Sequence, residues 1–145
     1  MGLHTFDFKD VSVVIGGSPI HGFAEGEAIQ IELTEDSYTM VSGADGIVTR
    51  VKSNNRTGAL TLTLTQSSLS NDVLTGYYLQ DLQSNSGVVS VEVRDNNGTS
   101  EIFSATGWIR KPASMSFGKD ATDREWILDL ADVNYFVGGN TQIIG

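Results

Sequence analysis

The feature that most constrains this chain is an alternation of apolar and polar residues with a period of two. In the run 58–65 three leucines alternate with three threonines, and in the run 29–33 three aliphatic residues alternate with Gln30 and Glu32. Successive side chains of a β-strand point to opposite faces of a sheet, so each run predicts a half-buried strand. Further strands are predicted at 11–15, 37–41, 47–52, 89–94, 101–110 and 126–130. The strongest hairpin signal is Asn97-Gly98.

One segment departs from this pattern and predicts an amphipathic helix over about residues 68–84, because its apolar residues recur at spacings of three and four. Serines can cap its start, Asp72 suits the positive end of the helix dipole, and Gly87 is a stop signal. Gly76 inside the helix suggests close packing against a strand. The apolar positions are Leu69, Val73, Leu74, Tyr77, Tyr78 and Leu82, and the candidate caps are Ser67, Ser68 and Ser70.

Together these elements predict a mainly β fold, an antiparallel β-barrel or β-sandwich with one covering α-helix. The chain has 145 residues, which is the usual size of one domain, so we expect a single domain over residues 1–145. A polar, glycine-flanked stretch predicts a long hairpin that projects from the rest of the fold over about residues 36–57.

Charges are segregated around this predicted hairpin. Residues 11–49 contain acids and no Lys or Arg, whereas residues 46–71 contain bases and no acid. Two interpretations stay open: a solvated surface, or a charge-complementary contact between identical subunits that sets their register. The candidate contact residues are Asp36, Tyr38, Met40, Asp45, Arg50, Lys52 and Arg56.

Composition excludes several classes of protein. Eighteen Asp and Glu against nine Lys and Arg give a net charge of −9, which argues against a surface that grips phosphates. With no Cys, two His and no GxSxG, P-loop, GxGxxG or HExxH motif, we expect neither an enzyme nor a cofactor. We find no secretory signal or membrane anchor. Trp108 and Trp126 could form a sugar-binding platform, although their strand positions favour core packing.

Five stretches, in order along the chain, carry a family resemblance. Residues 5–11 look like an opening strand, and residues 24–32 look like a glycine followed by an alternating sheet segment. The closest match is 35–46, which contains Thr-Met and ends in Gly-Ala-Asp-Gly. Residues 58–64 precede a Ser- and Asn-rich helix start, and Gly-Gly-Asn closes the stretch 137–140. In this combination the chain resembles the inner tail tube proteins of contractile-tailed bacteriophages, which are related to type VI secretion tube proteins.

The resemblance implies a structural role without catalysis. Six copies would form a ring whose sheets join into one barrel around a channel, and stacked rings would form a tube inside a contractile sheath. The implied partners are further copies of the chain, the sheath protein, and the tape measure and baseplate proteins. Phage DNA would pass through the channel without specific binding. The implied location is the virion tail, assembled in the cytoplasm of the bacterial host.

A channel that passes DNA is best lined by acidic or neutral side chains, which do not hold phosphates. Glu32 is the preferred candidate, since it lies on a strand opposite three aliphatic residues that we expect to be buried. For each candidate the alternative is an outer surface. The candidate lumen-facing residues are Gln30, Glu32, Thr61, Thr63, Thr65 and Asp129. The competing functions are a tail-completion or baseplate tube protein of the same fold, and a carbohydrate-binding β module.

Overall fold

The computed structural model of the chain describes residues 3–4, 6–139 and 143–144. The strands are β1 (Leu3–His4), β2 (Val11–Ile15), β3 (Ser18–Pro19), β4 (Ile29–Leu33), β5 (Tyr38–Ser42), β6 (Val48–Lys52), β7 (Gly58–Leu64), β8 (Val89–Asp95), β9 (Glu101–Lys111), β10 (Arg124–Leu130), β11 (Asn134–Phe136) and β12 (Ile143–Ile144). One α-helix, α1, spans Ser70–Ser84. Every predicted run forms a strand at the expected place, which confirms the mainly β class.

The strands assemble into one large sheet of eight strands and two small sheets. The large sheet has the order β3-β2-β8-β9-β10-β7-β4, with β11 also paired to β9, and its pairings are antiparallel. It folds over itself, and the hydroxyl of Tyr135 on β11 donates to the carbonyl oxygen of Ile31 on β4 at 3.1 Å. Within the described residues β4 pairs only with β7, so the arrangement is a sandwich rather than a closed barrel.

Strand β7 shows why the alternation produces a core. Leu60, Leu62 and Leu64 are fully buried, while the threonines between them are partly exposed on the opposite face. Strand β10 adds Leu128 directly opposite Leu60. Full burial of one such side chain stabilises the fold by roughly 1.5–3 kcal/mol. The three aliphatic residues of β4 pack against this core but are only partly buried, because β4 lies at the edge of the sheet.

The helix ends at Ser84 as predicted but begins two residues later, at Ser70, and its caps differ from the prediction. Its N-cap is Leu69, which makes no side-chain cap bond, although the Oγ of Ser68 accepts a hydrogen bond from the Ser70 N–H at 3.2 Å. At the other end Asn85 adopts the left-handed conformation, with φ of 54°, so Gly87 is not the stop. Gly87 is instead required by close packing, because a Cβ there would collide with the carbonyl oxygen of Tyr77.

Only part of the predicted apolar stripe of α1 faces the core. Leu74 is fully buried, and the Tyr77 hydroxyl donates to the carbonyl oxygen of Ile15 at 3.1 Å. The expectation that Leu69 and Leu82 pack inward is wrong, since they are 79% and 65% exposed. The helix therefore contacts the sheet along a narrower stripe than its periodicity indicates. At Gly76 a Cβ would meet nothing within 4 Å, so its predicted close packing is also wrong.

Two further segments differ from expectation. The predicted opening strand contains a 3-10 turn at Phe8–Asp10, whose start is capped by the Asp7 carboxylate accepting from the Lys9 N–H. The hairpin between β8 and β9 forms at Asn97-Gly98, but its connection is five residues long and is closed by the Asp95 N–H and the Ser100 carbonyl. Thr5 and Asn140, at the two ends of the family resemblance, lie outside the described residues.

Candidate assembly surfaces

Residues 38–52, which we call the arm, form a two-stranded sheet that is separate from the large one. Every residue of β5 and β6 is exposed. Six of the exposed side chains are large and apolar, and Met40 is 75% exposed. They are Tyr38, Met40, Val41, Ile47, Val48 and Val51. An isolated two-stranded hairpin is marginally stable in water, and exposed apolar surface of this extent is uncommon on a monomeric protein.

The register of the arm separates two chemically different faces. Tyr38 lies opposite Lys52, and Met40 lies opposite Arg50, so these four side chains share one face. The guanidinium of Arg50 stacks over the Tyr38 ring at 4.4 Å from its centroid. We call this side the cationic face, because it carries two positive charges and no acid. The opposite face carries Thr39, Val41, Thr49 and Val51 and has no charge.

The tip and the root of the arm are closed by hydrogen bonds. At the tip, Gly46 has φ of +85° and donates to the Gly43 carbonyl, while the Asp45 carboxylate accepts from the Ile47 N–H at 3.2 Å. At the root, the Ser53 N–H donates to the Ser37 carbonyl at 2.8 Å. The Asp45 carboxylate therefore stabilises the turn at the tip of the arm.

Two of the predicted contact residues lie outside the arm. Asp36 is exposed at its root. Arg56 extends towards the connection between β10 and β11, where its Nη2 is 3.5 Å from the Val133 carbonyl and its Nε is 3.9 Å from the Asp132 carboxylate. The structure thus brings together Tyr38, Met40, Arg50 and Lys52 on one face of the arm. Arg56 is not on that face, but it lines a cavity at the root of the arm with Tyr38 and Lys52.

A second surface is the outer face of β4, β7 and β10, which we call the acidic face. Gln30 lies opposite Thr61, while Glu32 and Asp129 both lie opposite Ala59 from either side. Thr63 lies opposite Glu125 on the same face. Five of the six residues predicted to face a lumen therefore share one sheet face. The sixth, Thr65, lies one residue beyond β7.

Three charged residues of the acidic face were missed by the sequence analysis. Glu125 lies on the same side of β10 as Asp129, Lys111 lies opposite Ile127, and Arg110 reaches Asp129 from β9. The Nε and Nη2 of Arg110 donate to Asp129 Oδ1 at 2.8 and 2.5 Å. These hydrogen bonds, and then the charge of the carboxylate, raise the pKa of Arg110 above its ordinary value. The pair leaves Glu32 and Glu125 as the acids on this face without a cation paired to them in the described residues.

The two tryptophans have different environments. Trp126 is 3% exposed, and its Nε1 donates to Asn71 Oδ1 at 2.9 Å, which confirms the core interpretation for this residue. Trp108 lies opposite Asp129 on the outer face and is only partly buried, so the core interpretation is wrong for it. The two rings lie on opposite faces of the sheet and cannot form one sugar-binding platform.

Other kinds of site find no support in the described part of the chain. Residues 3–4, 6–139 and 143–144 contain no group of three or more His, Asp or Glu placed to hold a metal ion. Helix α1 is too short and too polar to cross a membrane.

The sequence comparisons both find structural proteins of bacteriophages. The model of the family described as the bacteriophage PhiTE tail tube protein matches residues 3–138. The structural protein ORF10 of Pseudomonas phage KPP10 is 32% identical over 124 residues, which covers 84% of this chain and 72% of that protein.

Two solved structures share the fold at low sequence identity. One is the tube-terminating cap of the anti-feeding prophage, with a TM-score of 0.61, 7% identity and coverage of 91% of both chains. The other is the sheath/tube terminator of the extracellular contractile injection system PVC in its extended state. Its TM-score is 0.57 at 14% identity, covering 93% of this chain and 99% of that one.

Proposed function

The chain belongs to the bacteriophage PhiTE tail tube protein family, and on this premise we propose that it is the repeating subunit of the inner tail tube. The family and the related phage protein are structural rather than enzymatic. In the proposed assembly six copies form a ring, and rings stack into a tube inside a contractile sheath. The tube would contact the sheath, tape measure and baseplate proteins of a virion tail assembled in the host cytoplasm.

The structural feature that supports this proposal, in addition to family membership, is the arm. Its six large apolar side chains have no cover within the described chain, although each strand is regular. Contact with a neighbouring copy would bury them and pair the open edges of β5 and β6, which are otherwise templates for uncontrolled association. An arm that leaves one copy and covers another makes a heterologous contact, which generates rings or filaments.

The acidic face supports the second part of the proposal, a bore through which DNA passes. Glu32 and Glu125 make no salt bridge within the described residues, Asp129 pairs with Arg110, and Lys111 opposite Ile127 is a further cation on this face. Acids therefore outnumber cations there, and a surface with excess negative charge offers phosphates no net attraction. We therefore place Gln30, Glu32, Thr61, Thr63 and Asp129 on the wall of the channel.

An arm-less variant tests the proposal directly. Residues 38–52 are replaced by Asn-Gly, which the 2.8 Å hydrogen bond between Ser53 and Ser37 allows, because these residues already have the spacing of a closed turn. We expect the parent chain to form rings and tubes in negative-stain electron microscopy. We expect the variant to remain folded by circular dichroism and monomeric by sedimentation.

The outcomes separate the parts of the proposal. A parent chain that stays monomeric over a wide range of concentration and salt would overturn the tube function. Tubes formed by the arm-less variant would overturn the role of the arm while leaving the tube function in place.

A tube-terminating role is the second candidate, because the two solved structures described above are a tube-terminating cap and a sheath/tube terminator. The same microscopy distinguishes it. A repeating subunit forms tubes that lengthen with protein concentration, whereas a terminator or a baseplate tube protein forms single rings that do not lengthen.

A further inference from the structure

A groove beside β11 has a composition that matches the arm. It has a volume of about 520 Å³ and is lined by Arg56, Glu101, Phe103, Asn134, Tyr135 and Phe136. A second, more apolar cavity of about 250 Å³ shares Glu101, Tyr135 and Phe136 with it. Phe136, which borders both, is 59% exposed. The groove therefore offers aromatic surface and a carboxylate without a covering segment from the described chain.

The strand register places a second glutamate, Glu92, next to this groove. On the outer face of β8, β9 and β11, Glu101 lies opposite Phe136, and Phe103 lies between Glu92 and Asn134. Each aromatic ring thus has a glutamate beside it. Arg94 lies opposite Glu101 on β8 and balances one of the two charges, while Arg56 in the groove lining is 3.9 Å from the Asp132 carboxylate, which offsets its charge. A ligand that fits this row would present apolar side chains alternating with cations.

We propose that this groove receives the cationic face of the arm of a second copy of the chain. Arg50 and Lys52 would lie against the carboxylates of Glu101 and Glu92. Met40 and Val48 would cover the rings of Phe103 and Phe136. This inference rests on the proposed tube function and names the acceptor surface that the arm requires. Oppositely charged surfaces of this kind set register and speed association more than they add affinity.

A chain's own arm does not occupy its groove. No residue of 38–52 lines the cavity, whereas Arg56, which follows the arm in sequence, does. The groove therefore lies near the root of the arm. Five residues of strand carry the tip roughly 17 Å away from that root at about 3.3 Å per residue. Since none of the arm residues reaches the groove of its own chain, we assign the contact to a different copy, and a head-to-tail arrangement of this contact produces a ring or filament.

Charge reversal on each side tests the pairing. We compare the arm variant R50E/K52E with the groove variant E92K/E101K, and measure assembly by sedimentation and negative-stain microscopy. We expect each variant alone to need at least about tenfold more protein to assemble, the loss from replacing attraction by repulsion. A mixture of the two should recover assembly, because each reversed surface then meets its complement on the other copy.

A matched control keeps the result specific. The variant E25K/E27K changes net charge by as much as E92K/E101K at exposed sites away from the groove, and should assemble like the parent chain. If circular dichroism shows that E92K/E101K is unfolded, E92Q/E101Q replaces it, paired with R50Q/K52Q. These neutral variants should each weaken assembly and reduce its dependence on salt.

The possible results are decisive and distinguish the two proposals. Normal assembly of the folded groove variant, or failure of the mixed reversed variants to recover, overturns the groove proposal while the parent's tubes preserve the function. Failure of the parent chain to assemble overturns the tube function itself.

Discussion

Strands β7 and β5 have opposite environments. Both carry large apolar side chains, yet β7 buries every second side chain and β5 buries none. The difference lies in their neighbours, since β7 pairs with β4 and β10, whereas β5 pairs only with β6. Alternation therefore determines which side chains share a face, but burial requires a second layer to cover that face.

The same comparison shows where stability and assembly are located. Removing a buried side chain from the sheet costs its transfer energy and leaves a cavity. Removing an exposed side chain from the arm leaves the free chain almost unchanged. We therefore expect stability to depend on the sheet and association to depend on the arm.

The largest effect on stability is expected for Leu62→Ala in β7. Leu62 is fully buried, so its truncation should reduce the free energy of unfolding by about 2–5 kcal/mol. The matched arm variant is Val51→Ala, which should change stability by less than about 0.5 kcal/mol. Urea unfolding of both variants at concentrations below assembly checks the comparison. Equal losses for the two would show that the arm is packed in the free chain.

An intermediate effect is expected for Asn71→Ala. Asn71 accepts the hydrogen bond of the buried Trp126 indole and also donates to the Ser68 carbonyl at the helix start. Loss of a partner for a buried donor should reduce stability by about 1–3 kcal/mol. Unfolding followed by tryptophan fluorescence measures it, with the exposed Gln80→Ala as the helix control. If Asn71→Ala reduces stability no more than Gln80→Ala does, a water molecule has replaced the Asn71 amide oxygen as the acceptor for the Trp126 indole N–H.

The smallest effect is expected for Asp129→Asn on the acidic face. The Arg110–Asp129 pair is largely exposed, so its loss should cost at most about 1 kcal/mol and less at high salt. Because the pKa of Arg110 is raised, the stability that it contributes is fully present below its ordinary pKa and is lost only as the pH rises through the raised pKa. We therefore expect Arg110 to cause no pH dependence between about pH 5 and pH 9. Urea unfolding at two salt concentrations checks this, and a large, salt-independent loss would contradict a surface pair.

Much of the fold could be predicted because the alternation that marks a strand depends only on residues that are close in sequence. Gln30, Thr61 and Thr63 were placed on polar strand faces from spacing alone, and the structure brings these faces together. The partial failure at α1 has a physical cause. Helical periodicity identifies a stripe at Leu69 and Leu82, but the width of the covered stripe depends on how much sheet lies beneath it.

The candidate surfaces were less predictable, because they combine residues far apart in sequence. Arg110 joins Asp129 through the register of β9 and β10, and Phe103 joins Asn134 through the pairing of β9 with β11. No spacing within the chain encodes either pairing. The contact between Arg56 and the Val133 carbonyl likewise depends on where the connection after β10 lies.

The sequence by itself determined the strands, the polar and apolar faces, the projecting hairpin and the excess of acid. These properties depend on residues within a few positions of one another. Only the tertiary structure decided that the sheet folds into a sandwich, that the arm remains uncovered and that an aromatic, acidic groove forms beside β11. Those outcomes depend on which distant strands pair, because packing between layers is set by contacts that local sequence does not specify.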